Sequence, residues 1–418
     1  MSSWIDRARA VLPGGGFGNF DAGLVIERGA GSRVWDADGR EYIDYLIGSG
    51  PMLLGHSHPE VVEAVAQQLS GGFSFFATNP RGIELAEVIC DAVPCAEQLR
   101  YVSTGGEADM FAVRLARAHT GRPLILKFEG GYHGMSDEGQ MSLSPTRLLD
   151  FPVPEPDSAG ILPEVQRQTL VAPWNDIEQL DALFAQHGDQ IAGVIAEPLQ
   201  RIIPPAPGFL QRLRSLCDQY GSVLVFDEVV TGFRFAWGGG QAYYGVTPDL
   251  CTLGKTIGGG MPLAAVAGRK DILELFDKSL AGERWLMQVG TLSGNPIAAV
   301  AGLKTLEILA RPGQFETLRA AGLRIQQALT TALGSAGVPF QLVGDPVLFD
   351  VIFTDQPVLD YRDLARADKA LQARFNGVLR DRGILKSPAK IYPHLALTEE
   401  DLQQTETAIT AAAAAVAA

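Results

Sequence analysis

Cysteine is scarce: four residues in a chain of 418, and Cys90, Cys95, Cys217 and Cys251 form no C-x-x-C and lie scattered through apolar segments. That excludes a disulfide framework and suits free thiols in a reducing cytoplasm. Basic residues are also in deficit, 34 Lys and Arg against 48 Asp and Glu for a net charge of −14, which argues against a nucleic-acid or anionic membrane surface. Histidine is too sparse and badly spaced for a metal hydrolase, because His56, His58 and His133 give only His-Ser-His and no helix carries H-E-x-x-H. No apolar run reaches membrane-spanning length, the nearest being the short alanine-rich stretch Ala408–Ala418, expected as a helix. The first residues, Met1-Ser-Ser-Trp-Ile-Asp-Arg, lack the apolar core and cleavage site of a secretory signal. Two phosphate-binding fingerprints are missing as well. No G-x-G-x-x-G follows an apolar strand, and Gly254-Lys255-Thr256 cannot end a P-loop, since Asp249 stands where that loop needs glycine.

What is present is an ordinary globular composition, 46% hydrophobic and 20% charged, with length enough for two domains or one large enzyme core. Short β-rich runs alternate with helical patterns, which predicts an α/β protein with parallel strands and crossover helices. Strands are expected at Leu99–Ser103, Leu124–Phe128, Ile191–Ala196, Val223–Phe226, Leu250–Leu253 and Ala264–Ala267, and helices at Glu107–His119, Gly208–Tyr220 and Pro296–Ala310. Before residue 50 the stretch Ser32 to Tyr45 is extended around a hairpin turn at Asp38-Gly39. After Gln314 come long amphipathic helices and strands near Phe340–Phe353. The expected division is a central domain over 51–310, with 1–50 and 311–418 forming a smaller one. There is no internal repeat and no Gly, Ser or Pro-rich linker.

The chemistry concentrates on two residues. Asp227 ends the run Val223-Leu-Val-Phe-Asp, and Lys255 follows the next strand in Leu253-Gly-Lys-Thr-Ile-Gly-Gly-Gly. Both then project at the carboxyl edge of a parallel sheet, where open α/β folds bind ligands. A lysine amine holds an aldehyde cofactor as an imine, and a carboxylate facing a pyridine nitrogen keeps it protonated, so the pair points to pyridoxal phosphate. The run Val102-Ser-Thr-Gly-Gly-Glu-Ala-Asp reads as a strand-to-helix turn in which Thr104 and Glu107 form a capping box, with the N–H groups of Gly105 and Gly106 free for an anion. Glu107 and Asp109 must then face away. Tyr132, after two glycines, and Val229 are placed to cover the two faces of a flat ring. The hydroxyls of Thr291 and Ser293 lie in a loop before a helix, either a phosphate contact or an ordinary turn.

Taken together, Leu53-Leu-Gly-His-Ser-His-Pro, Ser103-Thr-Gly-Gly-Glu-Ala, Lys127-Phe-Glu-Gly-Gly-Tyr-His-Gly, Glu197-Pro, Phe226-Asp-Glu-Val-Val-Thr-Gly-Phe-Arg, Leu253-Gly-Lys-Thr-Ile-Gly-Gly-Gly-Met-Pro and Gly290-Thr-Leu-Ser-Gly-Asn-Pro resemble the class III pyridoxal phosphate aminotransferases of fold type I. Within them the chain is most similar to the glutamate-1-semialdehyde aminomutase group. The resemblance implies that Lys255 carries the cofactor, that Asp227 pairs with its ring nitrogen, and that Tyr132 and Val229 sandwich the ring. It also implies contacts from Thr104, Gly105, Gly106, His133 and Glu197. Thr291 would reach the phosphate of a neighbouring subunit, making a homodimer with sites at its interface. The expected substrates are small amines and keto acids or aldehydes, with Phe17, Phe20 and Arg201 as candidate substrate contacts.

The chain departs from the mutase pattern at Pro13-Gly-Gly-Gly-Phe-Gly-Asn, at Gly106 in place of a hydroxyl residue, and at Lys386-Ser-Pro-Ala-Lys-Ile-Tyr-Pro-His in place of a segment bearing an acid near the substrate. The expected activity is therefore an aminotransferase, with the aminomutase as the alternative and a racemase or decarboxylase behind them.

Overall fold

Runs such as Leu-Ile-Leu-Lys-Phe and Ile-Ala-Gly-Val-Ile-Ala lack the alternation of a half-exposed strand and are buried along their whole length, as strands covered on both faces by helices must be. In the computed structural model, which describes residues 3–417, they build the centre of the molecule. The chain begins with β1 (Ile26–Ala30), β2 (Arg33–Asp36) and β3 (Glu41–Asp44). It continues through β4 (Gln98–Val102), β5 (Leu124–Phe128), β6 (Thr169–Ala172), β7 (Ile191–Ala196), β8 (Val223–Glu228), β9 (Leu250–Leu253) and β10 (Ala264–Gly268). It closes with β11 (Gln341–Asp345), β12 (Leu348–Ile352) and β13 (Ile384–Leu385).

A seven-stranded sheet runs β4-β10-β9-β8-β7-β5-β6. It is the mostly parallel central sheet of pyridoxal phosphate fold type I, with one departure from the expected pattern: β10 lies antiparallel to both of its neighbours. Its run Ala-Ala-Val-Ala-Gly carries no signal of direction, because a fully buried strand reads the same both ways. The edge strand β6 is not among the expected strands. One face of the sheet packs against a cluster that includes Phe128, Trp174, Phe209 and Phe226. The other packs against Phe111, Leu115 and Ala116 of the helix Gly105–Thr120.

A separate cluster joins the two chain ends, with Ile43 and Tyr45 packed among Leu329, Phe349, Phe375 and Ala412. The link is physical as well as apolar, since β13 pairs in parallel with β3 through Ile384 and Ile43. The hairpin turn falls where Asp38-Gly39 predicts, with Gly39 at φ 85 and β2 antiparallel to β3. All four cysteines are free thiols. Among the described residues, no helix is long and apolar enough to cross a membrane.

Candidate active site

Parallel strands end together, so residues far apart in sequence converge at one edge of the sheet. Asp227 of β8 pairs in register with Thr252 of β9, and Lys255 follows β9 in a turn that holds it at a left-handed φ of 48. A non-glycine residue in that region is held by its surroundings at some cost in strain. The helix Gly105–Thr120 starts after β4, the loop with Tyr132 and His133 after β5, and Glu197 after β7.

Asp227 is buried and braced on three sides. Its Oδ2 lies 2.8 Å from His133 Nδ1, and its Oδ1 accepts from Val229 N at 3.1 Å and from Thr252 Oγ1 at 3.4 Å. The same threonine hydroxyl lies 2.6 Å from Asp109 Oδ1. Burial, and next the neighbouring Asp227, push the Asp109 carboxyl well above the usual carboxylate range. Lys255 shows the opposite response: burial lowers its pKa, Lys390 lowers it further, and Tyr392, Asp227 and Glu197 oppose the shift.

The strand-to-helix turn is shaped as its sequence predicts. Thr104 Oγ1 accepts from Glu107 N at 3.2 Å while Glu107 Oε2 takes the N–H groups of Ser103 and Thr104 at 2.8 and 2.9 Å. Glu107 thus folds back onto the cap and Asp109 turns inward to Thr252, which leaves Gly105 and Gly106, the first two N–H groups of the helix, without an internal acceptor. Side chains are excluded here by contact. A Cβ on Gly105 would lie 2.9 Å from both methyls of Val229, and one on Gly134 would lie 2.3 Å from the Gly106 Cα.

Glu197 ties the edge together, accepting Tyr132 N at 2.8 Å and Arg201 N at 3.1 Å. The Arg201 guanidinium then sits 5.4 Å from the Tyr132 ring centroid. Other expected residues stand apart. Phe17 is 85% exposed, and neither it nor Phe20 joins an aromatic pair or a core cluster among the described residues. Thr291 lies in an exposed stretch where its carbonyl accepts from Ser74 Oγ at 3.4 Å. The histidines considered for a metal go to separate partners, His56 to Asp44 at 2.7 Å and His133 to Asp227.

A family profile described as aminotransferase class-III matches residues 18–413. The chain belongs to that family. As a class-III aminotransferase it is 45% identical to a glutamate-1-semialdehyde 2,1-aminomutase of Neisseria meningitidis, over 92% of this chain and 91% of the relative. Among solved structures, an omega-transaminase from Sphaerobacter thermophilus superposes with a TM-score of 0.94 at 35% identity, covering 99% of this chain and 97% of its own. A Sphingopyxis protein solved in its pyridoxal phosphate internal aldimine form matches with a TM-score of 0.85 at 28% identity, over 99% of this chain and 95% of that one. The class-III enzyme described here is therefore pyridoxal phosphate-dependent. Its site suits that group: glycines 105, 106 and 134 admit no side chain beside unpartnered N–H groups, and a braced carboxylate on β8 lies next to the turn after β9, where the Lys255 amine forms no ion pair among the described residues.

The sequence reading missed Thr252, Arg234, Lys390 and Tyr392. Thr252 was within reach, since it sits opposite Asp227 once β8 and β9 are aligned in parallel. Arg234, Lys390 and Tyr392 lie in segments the sequence singled out, but their meeting carried no signal, because only the return of the C-terminal segment brings Tyr392 within 5.3 Å of the Arg234 guanidinium.

Proposed function

We propose that this class-III enzyme shifts an amino group between carbons of one carboxylate-bearing molecule, in the manner of glutamate-1-semialdehyde 2,1-aminomutases. The observation that supports amino transfer is a Lys255 that forms no ion pair among the described residues, beside a braced Asp227 on the neighbouring strand. The 45% identity to a curated aminomutase supports the intramolecular form over the two-substrate transfer expected from the sequence.

In this reading Gly105 and Gly106 donate to the cofactor phosphate, Thr104 and Glu107 fix the helix start, and Lys255 is the covalent anchor. Asp227 would face the ring nitrogen, oriented by the groups that brace it, with His133 behind it as a positioning residue. Tyr132, placed by Glu197, and Val229 cover the two ring faces. When bound, pyridoxal phosphate supplies an electron sink for the pair left as a substrate proton departs. Lys255, released from the anchor, moves that proton, and burial favours the neutral amine a base requires.

A two-substrate aminotransferase is the second reading, favoured by Lys390 and Tyr392 where an acid was expected of a mutase. Glutamate-1-semialdehyde supplied alone separates the two. Steady conversion to its 5-amino-4-oxo isomer supports the mutase, whereas turnover only with a separate amine and keto acid refutes it. In Lys255→Ala, borohydride treatment should no longer fix the cofactor to the chain, while Asp227→Asn keeps the attachment and loses at least about a hundredfold in rate.

The same reading takes 51–310 as the cofactor-binding domain, 1–50 with 311–418 as the small one, and a homodimer in a cytoplasmic setting. Exposed Phe73, Phe75, Phe76, Met287, Val289 and Leu292 surround Thr291 with the apolar surface such an interface needs. Sedimentation at micromolar concentration tests it, and a monomer would refute it.

A further inference from the structure

Four cations stand at the site, Lys255, Arg201, Arg234 and Lys390, and among the described residues none of them forms an ion pair. Buried cations elsewhere are satisfied: Lys386 lies 2.9 Å from Asp350, and Lys127 donates to the carbonyls of Gly131, Gly139 and Met141. The acids nearest the unpaired group are already engaged. Both oxygens of Glu197 accept backbone N–H groups, and those of Asp227 face His133 and Val229 N.

Arg234 is the extreme case. It is fully buried, one N–H reaches the Gly50 carbonyl, and its Nε and Nη1 have no partner. A buried guanidinium with open donors and no counter-ion is costly unless a ligand supplies the missing charge. Strand alternation puts Lys390 on the same face as Tyr392, whose ring centroid lies 5.3 Å from the Arg234 guanidinium. Ile391 exchanges backbone hydrogen bonds with Phe349 at 2.7 and 3.3 Å and packs into the core shared by the chain ends. Lys390 and Tyr392, one position to either side, therefore face the opposite way. Tyr392 packs with the core of the large sheet. A Cβ on Gly50 would lie 3.4 Å from its ring and 3.1 Å from Lys255 Cδ, so that face borders the anchor lysine. Burial, and then Arg201, push the Lys390 ammonium down to about 7, the response of a cation lacking an anion.

We propose that Lys390 and Arg234 receive the carboxylate of the substrate, which makes Lys390 the residue that selects carboxylate-bearing substrates over plain amines. The proposal rests on the amino-transfer reading but names chemistry that reading leaves open. The open donors of Arg234 supply direction, and Lys390 adds a mobile point charge. The anion is not the cofactor phosphate, which Gly105 and Gly106 take.

Calorimetric titration of the holoenzyme tests this with two unreactive probes of equal length, pentanoate and pentanamide, and with acetate. The wild type is expected to bind pentanoate at least about tenfold tighter than pentanamide, the worth of one charge-assisted hydrogen bond. Lys390→Met removes that preference, Lys390→Arg retains it, and acetate binds far more weakly than pentanoate. The proposal is overturned if Lys390→Met keeps the preference, if Lys390→Arg fails to restore it, or if acetate matches pentanoate, as a nonselective anion site would have it. Binding needs no turnover, so a wild type that prefers pentanoate yet converts neither glutamate-1-semialdehyde nor an amine and keto acid pair refutes the functional reading alone.

Discussion

Replacing Gly105 by alanine adds one methyl group at the point where helix, Val229 and cofactor space meet. The new Cβ would stand 2.9 Å from both Val229 methyls, against an ordinary carbon contact of about 3.5–4.0 Å. Val229 has little room to yield, because a Cβ on Gly254 would already lie 3.2 Å from its Cγ1. Overpacking of this kind costs about 1–3 kcal/mol, and alanine returns at most about 1 kcal/mol through helix propensity. The apoenzyme is therefore expected to lose no more than about 3 kcal/mol, while displacement of Val229 into the ring space weakens pyridoxal phosphate binding by about tenfold or more. Titration of apoenzyme with the cofactor, followed by visible absorption and paired with urea unfolding of the apo form, separates the two effects. Val229→Ala in the same chain removes the opposing methyls and should recover at least half of the lost binding free energy, a coupling of about 0.7 kcal/mol or more. Wild-type affinity in Gly105→Ala, or no recovery in the double variant, would refute the assignment of Gly105 and Val229 to the cofactor's surroundings.

Two further outcomes follow from groups outside the chemistry. Lys386→Met strands the fully buried Asp350 and should destabilise the chain by about 3–5 kcal/mol in urea unfolding, most of it regained in Lys386→Met with Asp350→Leu; additive losses would show the pair is not coupled. His394 is held down to about 4 by burial, below the value of about 6.5 in the unfolded chain. The unfolded state thus takes up the proton first, and stability falls as pH drops from about 6.5 to 4. Between pH 7.5 and 5 the wild type should lose about 2 kcal/mol more than His394→Gln, and equal losses would show that the histidine protonates without penalty.

Much of the site was legible because its residues obey local rules. Asp227 and Lys255 close β-rich runs, and Thr104, Gly105, Gly106 and Glu107 obey helix-capping stereochemistry that a few consecutive residues fix by themselves. The strands β5, β7 and β9 fall where their apolar runs predict for the same reason. The family resemblance added the cofactor, which spacing alone left as one option. Direction was not legible for β10, whose uniformly buried residues fit either orientation until neighbours fix it. Nor was the exposure that one chain leaves to Phe17, Phe20 and Thr291.

The sequence by itself determined the cofactor machinery, because strand ends, caps and glycine approaches are short-range properties of consecutive residues. Only the tertiary structure decided what surrounds Lys255. Arg234, Tyr392 and Lys390 meet there because β13 pairs with β3 and carries the C-terminal segment back to the sheet edge, where Tyr392 N reaches the Tyr45 carbonyl at 3.2 Å. Long-range pairing of that kind leaves no periodic trace in the residues it joins, yet it sets the charge around Lys255.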